Sequence, residues 1–198
     1  AAERDAVLIE TTARSVVATR ASSEASFLAC TNRYQAPSLA KGEISPSATM
    51  SCHSDARCAR LVEAARSGPL SASDLEALLG DRGAPDHTET RLVGNCIASP
   101  VTVQSVVSEP DQRRIRVSVG SAPTGFGPYV EVPWAWDGPV GSDIFEHPVV
   151  PATDDSDERD AFRAYVELTR HHMVGASPSE TRDRVLELAS RCPGEPHL

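Results

Sequence analysis

Asn32 follows the apolar run Phe27-Leu28-Ala29-Cys30 and comes just before Tyr34 and Pro37 interrupt an extended pattern. A carboxamide delivered there can donate an N–H to an oxygen that gains charge when a carbonyl is attacked. It can equally close a turn, the ordinary use of Asn near a strand end, and spacing alone leaves both roles open. The thiols are a second candidate group. Cys30, Cys52, Cys58, Cys96 and Cys192 are odd in number, irregularly spaced and without a CxxC pair, so neither a disulfide framework nor a zinc site is indicated and the redox compartment stays open. Cys52-His53 with Cys58, and His171-His172, have the residue types of metal ligands but not their spacing, so no metal or other cofactor is expected. A pair of Cys30 or Cys96 with a distant His lacks a nucleophile signature, and a buried structural cysteine is the default reading of these thiols, Cys30 included.

The surrounding patterns say what must hold Asn32. Residues 5–10 and 15–19 are short Val- and Ile-rich runs around Thr11-Thr12-Ala13-Arg14, which predicts a hairpin, and residues 27–31 predict a third strand ending at Asn32. Over residues 51–66, Cys58, Leu61, Val62 and Ala65 form the stripe of an amphipathic helix, with Ser54 or Asp55 available as cap and Gly68-Pro69 as its end. Ser73-Asp74-Leu75-Glu76 reads as a capping box opening a short helix with Leu75, Leu78 and Leu79 on one face and Gly80 as its stop. The helix pair should cover one face of the sheet. Strands are expected at residues 91–98, 102–108 and 114–119, the last two joined by a turn at Glu109-Pro110-Asp111-Gln112.

Residues 120–141, rich in Gly, Pro and aromatic side chains, read as an irregular segment packing Tyr129, Trp134 and Trp136 on the body. The acidic run Asp154-Asp155-Ser156-Asp157-Glu158 suits a linker and helix N-terminus and lacks the glycine and closing glutamate of a calcium loop. Two helices follow. Residues 157–173 present Phe162, Tyr165, Val166, Thr169 and Met173 on one face, and residues 178–191 present Val185 and Leu188 after a Ser177 capping box with Pro178 at the first position.

A length of 198 residues with 40% hydrophobic content supports a real core, so the chain is globular. The formal charge of −9 and a single lysine, Lys41, argue against nucleic acid or anionic membrane as partners, because phosphate contacts need clustered cations. No run reaches the roughly 18 apolar residues of a membrane helix. Ala1 opens on sequence with no signal-peptide pattern, and a soluble chain, weakly favouring the cytoplasm, is expected.

The order of these pieces resembles a known family. Thr31-Asn32-Arg33-Tyr34-Gln35-Ala36-Pro37 is similar to the "TN-x-P" segment of N-terminal-nucleophile hydrolases of the choloylglycine hydrolase and isopenicillin-N acyltransferase type. Ser54-Asp55-Ala56-Arg57-Cys58-Ala59-Arg60 resembles that group's "S-x-x-R-F-x-R" helix start, and residues 70–79 resemble its following short helix. Asn95-Cys96-Ile97 then precedes residues 102–110, a strand that with residues 113–117 and Gly120 resembles the family's late hairpin, so the ordered match runs from about Asp5 to Gly120. Motifs of this kind gain weight from their order.

The resemblance implies an α+β fold, part of an αββα sandwich with antiparallel sheets flanked by helices, over residues 1–141. A linker and C-terminal helical hairpin would occupy residues 142–198. It implies cleavage or transfer at an amide bond, with Asn32 in the oxyanion hole and Arg57 near the nucleophile. The family's nucleophile is a cysteine made N-terminal by self-cleavage, so that its own amine serves as base. Ala1 cannot do this, and Cys30 is internal and two residues before the oxyanion Asn. The chain therefore reads as the C-terminal portion of such an enzyme, inactive alone, acting on a small-molecule amide or acyl substrate once a complementary N-terminal segment or subunit supplies the cysteine. The other reading is a non-catalytic binding or assembly module, with the helical tail and Trp134-Ala135-Trp136 as its partner surface.

Overall fold

A computed structural model of the chain describes residues 6–21, 27–44, 48–83, 94–99, 102–120, 122, 124–133, 148–150, 156–175 and 177–192. The chain divides into two compact units, Ala1–Pro69 and Leu70–Leu198. Helices and antiparallel strands occur in both, an α+β composition.

In the first unit, β1 (Val7–Thr11) and β2 (Val16–Arg20) form the expected hairpin, with Val7 opposite Arg20, Ile9 opposite Ala18 and Thr11 opposite Val16. The Thr12 hydroxyl closes the turn by accepting from the N–H groups of Arg14 and Ser15 at 3.2 and 3.0 Å, a Thr turn in place of glycine. Alternation gives the ribbon two unlike faces. Ile9 and Val16 are 63% and 69% exposed on one, whereas on the other Glu10 is buried and Leu8 and Val17 are half-buried. The third strand expected at residues 27–31 is absent: this stretch makes no ladder, and its end is fastened by the Thr31 side chain instead. Pro37 starts the short helix α1 (Pro37–Ala40), which buries Leu39, and α2 follows at Ala48–Arg66.

The second unit is built on a four-stranded antiparallel sheet in the order β3 (Val106–Glu109), β4 (Arg114–Ser118), β5 (Tyr129–Pro133), β6 (Pro148–Val150). The turn between β3 and β4 is a 3₁₀ turn at Pro110–Gln112 that leaves Arg113 left-handed at φ 52°. Strand β5 corrects the irregular reading of residues 120–141: Tyr129-Val130-Glu131-Val132 alternates, but the Gly and Pro on either side mask so short a run. Trp134, Trp136 and residues 154–155 lie outside the described residues. The strand expected at 91–98 is also corrected in its described part, since residues 94–99 form bends with Gly94 at φ 69° and Asn95 at φ 55°.

Helix α3 (Ala72–Leu79) covers one face of this sheet. Its cap is Ser71 with Asp74 at N3, not Ser73 with Glu76. Glu76 is thereby released to face the sheet, where it binds Arg116 at 2.9 Å with both side chains buried. The same face carries Val107, Glu109, Arg114, Ser118 and Tyr129, and the opposite one carries Val106, Ile115, Val117, Val130 and Val132. In β4 the polar side is the more buried: Arg116 and Ser118 are buried while Ile115 and Val117 are only half-buried. Burial pushes the Tyr129 phenol up, the Glu76 charge adds to the rise, and the Ser105 hydroxyl opposes it. At the end of α3 a Cβ on Gly80 would stand 2.8 Å from the Gly125 carbonyl oxygen, so the helix end and the 3₁₀ turn at Thr124–Phe126 meet backbone to backbone.

The Asp74 cap carries a pH signature. Its carboxylate accepts from the Ser71 hydroxyl at 2.7 Å and the Ser71 N–H at 2.8 Å, and these bonds hold it below the usual carboxylate range. A lowered folded pKa contributes stability above the unfolded value of roughly 4, lost as pH falls through the folded value. The melting-temperature gap between the parent and Asp74→Asn should be open near neutral pH and close below pH roughly 4. A gap constant over a thermal-unfolding pH series would contradict this.

Helices α4 (Ser156–Met173) and α5 (Pro178–Arg191) form the expected hairpin, with Ser177 capping α5. Ala161, Phe162, Leu168 and Leu188 are its buried core, with Tyr165 and Val185 packed against them. The buried stripe is therefore offset from the expected one: Met173 is 80% exposed, and Thr169 and Val166 also face solvent. The buried guanidinium of Arg82, just past α3, lies 5.7 Å from the Phe162 ring centre, a cation–π contact within this unit.

Candidate functional site

Asn32 and Arg57, chosen from the sequence, meet in the first unit. The Arg57 Nη2 donates to Asn32 Oδ1 at 2.8 Å and to Ser54 Oγ at 3.2 Å. Both Arg57 partners follow from local structure: Ser54 and Arg57 are three apart on one face of α2, and Asn32 lies on the irregular segment that runs along that face. Arginine has no acceptor, so the oxygen of the carboxamide must face it. The Asn32 Nδ2 group is consequently turned away from Arg57. Asn32 is exposed and Ser54 is 4% exposed, so a guanidinium anchored on a buried hydroxyl holds an exposed carboxamide by its oxygen.

The segment bearing Asn32 is tied on both sides. Toward α2, the Thr31 hydroxyl donates to the Ser54 carbonyl at 3.0 Å and Arg33 pairs with Asp55 at 3.2 Å, while Arg33 also pairs with Glu43, in the loop after α1, at 3.1 Å. The Cys58 thiol points to Gln35 Oε1 at 3.8 Å. Toward the ribbon, the Tyr34 hydroxyl donates to the Thr11 carbonyl at 2.9 Å. The Glu10 carboxylate accepts from the backbone N–H groups of Gln35 and Ala36 at 2.5 and 2.9 Å. These contacts fasten residues 31–36 without a sheet ladder, and Glu10 satisfies the backbone donors of Gln35 and Ala36 that would otherwise be orphaned.

Glu10 and Tyr34 are the anchors that the sequence pattern did not single out. The signal for Glu10 was its phase: it shares the inward side of β1 with Leu8, but Val7-Leu8-Ile9 is apolar throughout and hides which side is inward. Replacing Glu10 by Ala leaves the Gln35 and Ala36 N–H groups without their acceptor, at a cost of about 1–3 kcal/mol. Amide exchange at Gln35 and Ala36 should accelerate in that variant while the hairpin turn at Thr12 keeps its protection. Unchanged exchange at both amides would show that Glu10 is not the anchor.

The cysteines separate by environment. Cys30 and Cys52 are exposed, Cys58 and Cys192 are partly buried, and Cys96 is buried. Cys30 is thus neither buried nor in a strand, a correction that follows from the absence of the third strand. Burial pushes the Cys58 thiol up, and the charges of Cys30 and Asp55 push it further. Among the described residues no three His, Cys, Asp or Glu side chains come together as a metal-binding group. Among them, too, no helix is long and apolar enough to cross a membrane. No protein-family model, curated protein or solved structure matches the chain.

Proposed function

We propose that this chain is the C-terminal portion of an amide-bond hydrolase or N-acyltransferase of the N-terminal-nucleophile type, completed by a segment or subunit that presents an N-terminal cysteine. The observation that carries this reading is the Asn32–Arg57 pair. Two residues twenty-five positions apart, taken from separate motifs, share a 2.8 Å hydrogen bond that holds the carboxamide by its oxygen and leaves its N–H donors to other partners. In the proposed reaction the cysteine sulfur attacks the amide carbonyl, its proton passes to the cysteine's own α-amine, and Asn32 Nδ2 stabilises the oxyanion. The amine leaves with that proton, and water or a second amine takes the acyl group. Arg57 acts as a positioning residue that holds the carboxamide by its oxygen.

The finer fold reading is an αββα sandwich, and the uneven faces of both sheets support it. The ribbon has Glu10 anchored beneath the Asn32 segment and Ile9 and Val16 exposed on its other side. The four-stranded sheet has α3 over its charged face and a Val- and Ile-bearing face opposite, where Val106 is 47% exposed. The ribbon thus has one covered face and one open apolar face suited to packing against another sheet, whereas on the apolar face of the four-stranded sheet Val130 is already buried and Val106 stays open.

The reading is tested by assaying amine release from a panel of N-acyl amides, with the chain alone and with the chain joined to its cysteine-bearing segment. Release only by the completed protein, and its loss when that cysteine becomes Ala, is expected. Equal release with and without the cysteine would overturn the reading.

A further inference from the structure

A row of polar side chains crosses the four-stranded sheet beneath α3. Ser118 on β4 stands directly opposite Tyr129 on β5. On its other side the Ser118 N–H donates to the Ser105 carbonyl at 2.9 Å, and the Ser118 hydroxyl accepts from the Ser105 N–H at 2.7 Å. Ser105, Ser118 and Tyr129 therefore lie side by side on the covered face, and all three are buried. Arg116, two residues along β4 on the same face, is the diagonal neighbour of Tyr129, within reach of side chains as long as these. Arg116 Nη1 in turn holds Glu76, on α3, by its Oε1 atom at 2.9 Å.

Two oxygens of this cluster are left over. Glu76 Oε2 and the Tyr129 hydroxyl meet no hydrogen-bond partner among the described residues, although Glu76 is 4% and Tyr129 1% exposed. Burial raises the Tyr129 pKa, the Ser105 hydroxyl lowers it and the Glu76 charge raises it again, so both groups act on the phenol oxygen. A carboxylate oxygen only accepts, whereas a phenol both donates and accepts. The group that satisfies both must donate to Glu76 and be able to accept from Tyr129. A metal cation or an ammonium has no lone pair for the phenol proton, and an anion is repelled by Glu76. Water has two donors and two acceptors, and buried waters characteristically join polar groups that the fold leaves unpaired.

We propose that Glu76 Oε2, the Tyr129 hydroxyl and the Ser105 hydroxyl form an internal binding site for one water molecule. The water donates to Glu76, accepts from Tyr129 and turns its second hydrogen to Ser105. It completes the carboxylate that Arg116 holds by one oxygen and so links α3 to β5 as well as to β4. The site stands independently of the amidase reading.

A crystal structure of the full chain, at a resolution that shows ordered water, tests this. One water peak is expected about 2.5–3.0 Å from both Glu76 Oε2 and the Tyr129 hydroxyl oxygen. In solution, oxygen-17 magnetic relaxation dispersion, which counts long-lived internal waters, should report one fewer in Glu76→Leu/Arg116→Met than in the parent. A direct bond from Tyr129 to Glu76 or Ser105 with no peak between them, a peak that refines as a metal ion, or an equal count in parent and double variant would each overturn the proposal.

Discussion

If the chain works as proposed, Asn32→Ala should lower amide turnover by the completed protein about 100–1,000-fold, the range for losing one oxyanion donor. The loss falls on kcat, because the donor strengthens its bond only as charge develops on the carbonyl oxygen. Arg57 acts at one remove. Arg57→Lys keeps a charge but replaces a planar fork that binds Asn32, Ser54 and the His53 carbonyl with a single point donor. It should lower kcat less than Asn32→Ala does, and adding Arg57→Lys to Asn32→Ala should cost little more, since its action runs through the missing carboxamide. Steady-state kinetics of the two single variants and the double variant measure both. An Asn32→Ala enzyme within a few-fold of the parent would remove Asn32 from the reaction.

Arg116→Met should be among the most damaging substitutions for stability. Arg116 sits on the covered face of the sheet with 10% of its side chain exposed, and its partner Glu76 has 3%. Removing one member of such a pair leaves a buried charge uncompensated and costs about 3–5 kcal/mol. Glu109, 3.4 Å from Arg116 and 3.1 Å from Arg114, gives the guanidinium a second carboxylate, so Glu76→Leu should cost less than Arg116→Met. The double variant Glu76→Leu/Arg116→Met removes both charges and should recover most of the loss, as replacement of buried pairs by apolar groups commonly does. Urea unfolding of the three variants, followed by circular dichroism, decides the point. Additive losses in the double variant would mean that the pair is not what holds α3 to the sheet.

Local chemistry was legible where it is self-contained. The hairpin, α2, the turn after β3 and the α5 cap with Ser177 and Pro178 each depend on neighbours in sequence, and each was readable from residue types. What was not legible depends on partners far along the chain. Arg114-Ile115-Arg116-Val117-Ser118 alternates plainly, but only Glu76, forty residues away, makes the Arg116 side the buried one. The extended reading of residues 27–31 failed for a similar reason: the segment is placed by distant tethers, from Thr31 to Ser54 and, just beyond it, from Tyr34 and Gln35 to Thr11 and Glu10, each twenty or more positions away. The capping box near Ser73 was displaced by two residues because Ser71-x-x-Asp74 and Ser73-x-x-Glu76 both fit the pattern, and burial of Glu76 chooses between them. For the candidate site, the residue types of Asn32 and Arg57 could be picked out, whereas their contact and the Glu10 anchor could not.

The central claim, that an N-terminal cysteine completes this chain, is met most directly by top-down mass spectrometry of the protein isolated from its native source under non-denaturing conditions. The expected result is an assembly in which this chain accompanies, or continues from, a polypeptide whose mature first residue is cysteine, with iodoacetamide labelling that residue as amide turnover is lost. An active assembly with no cysteine at any polypeptide start would contradict the account.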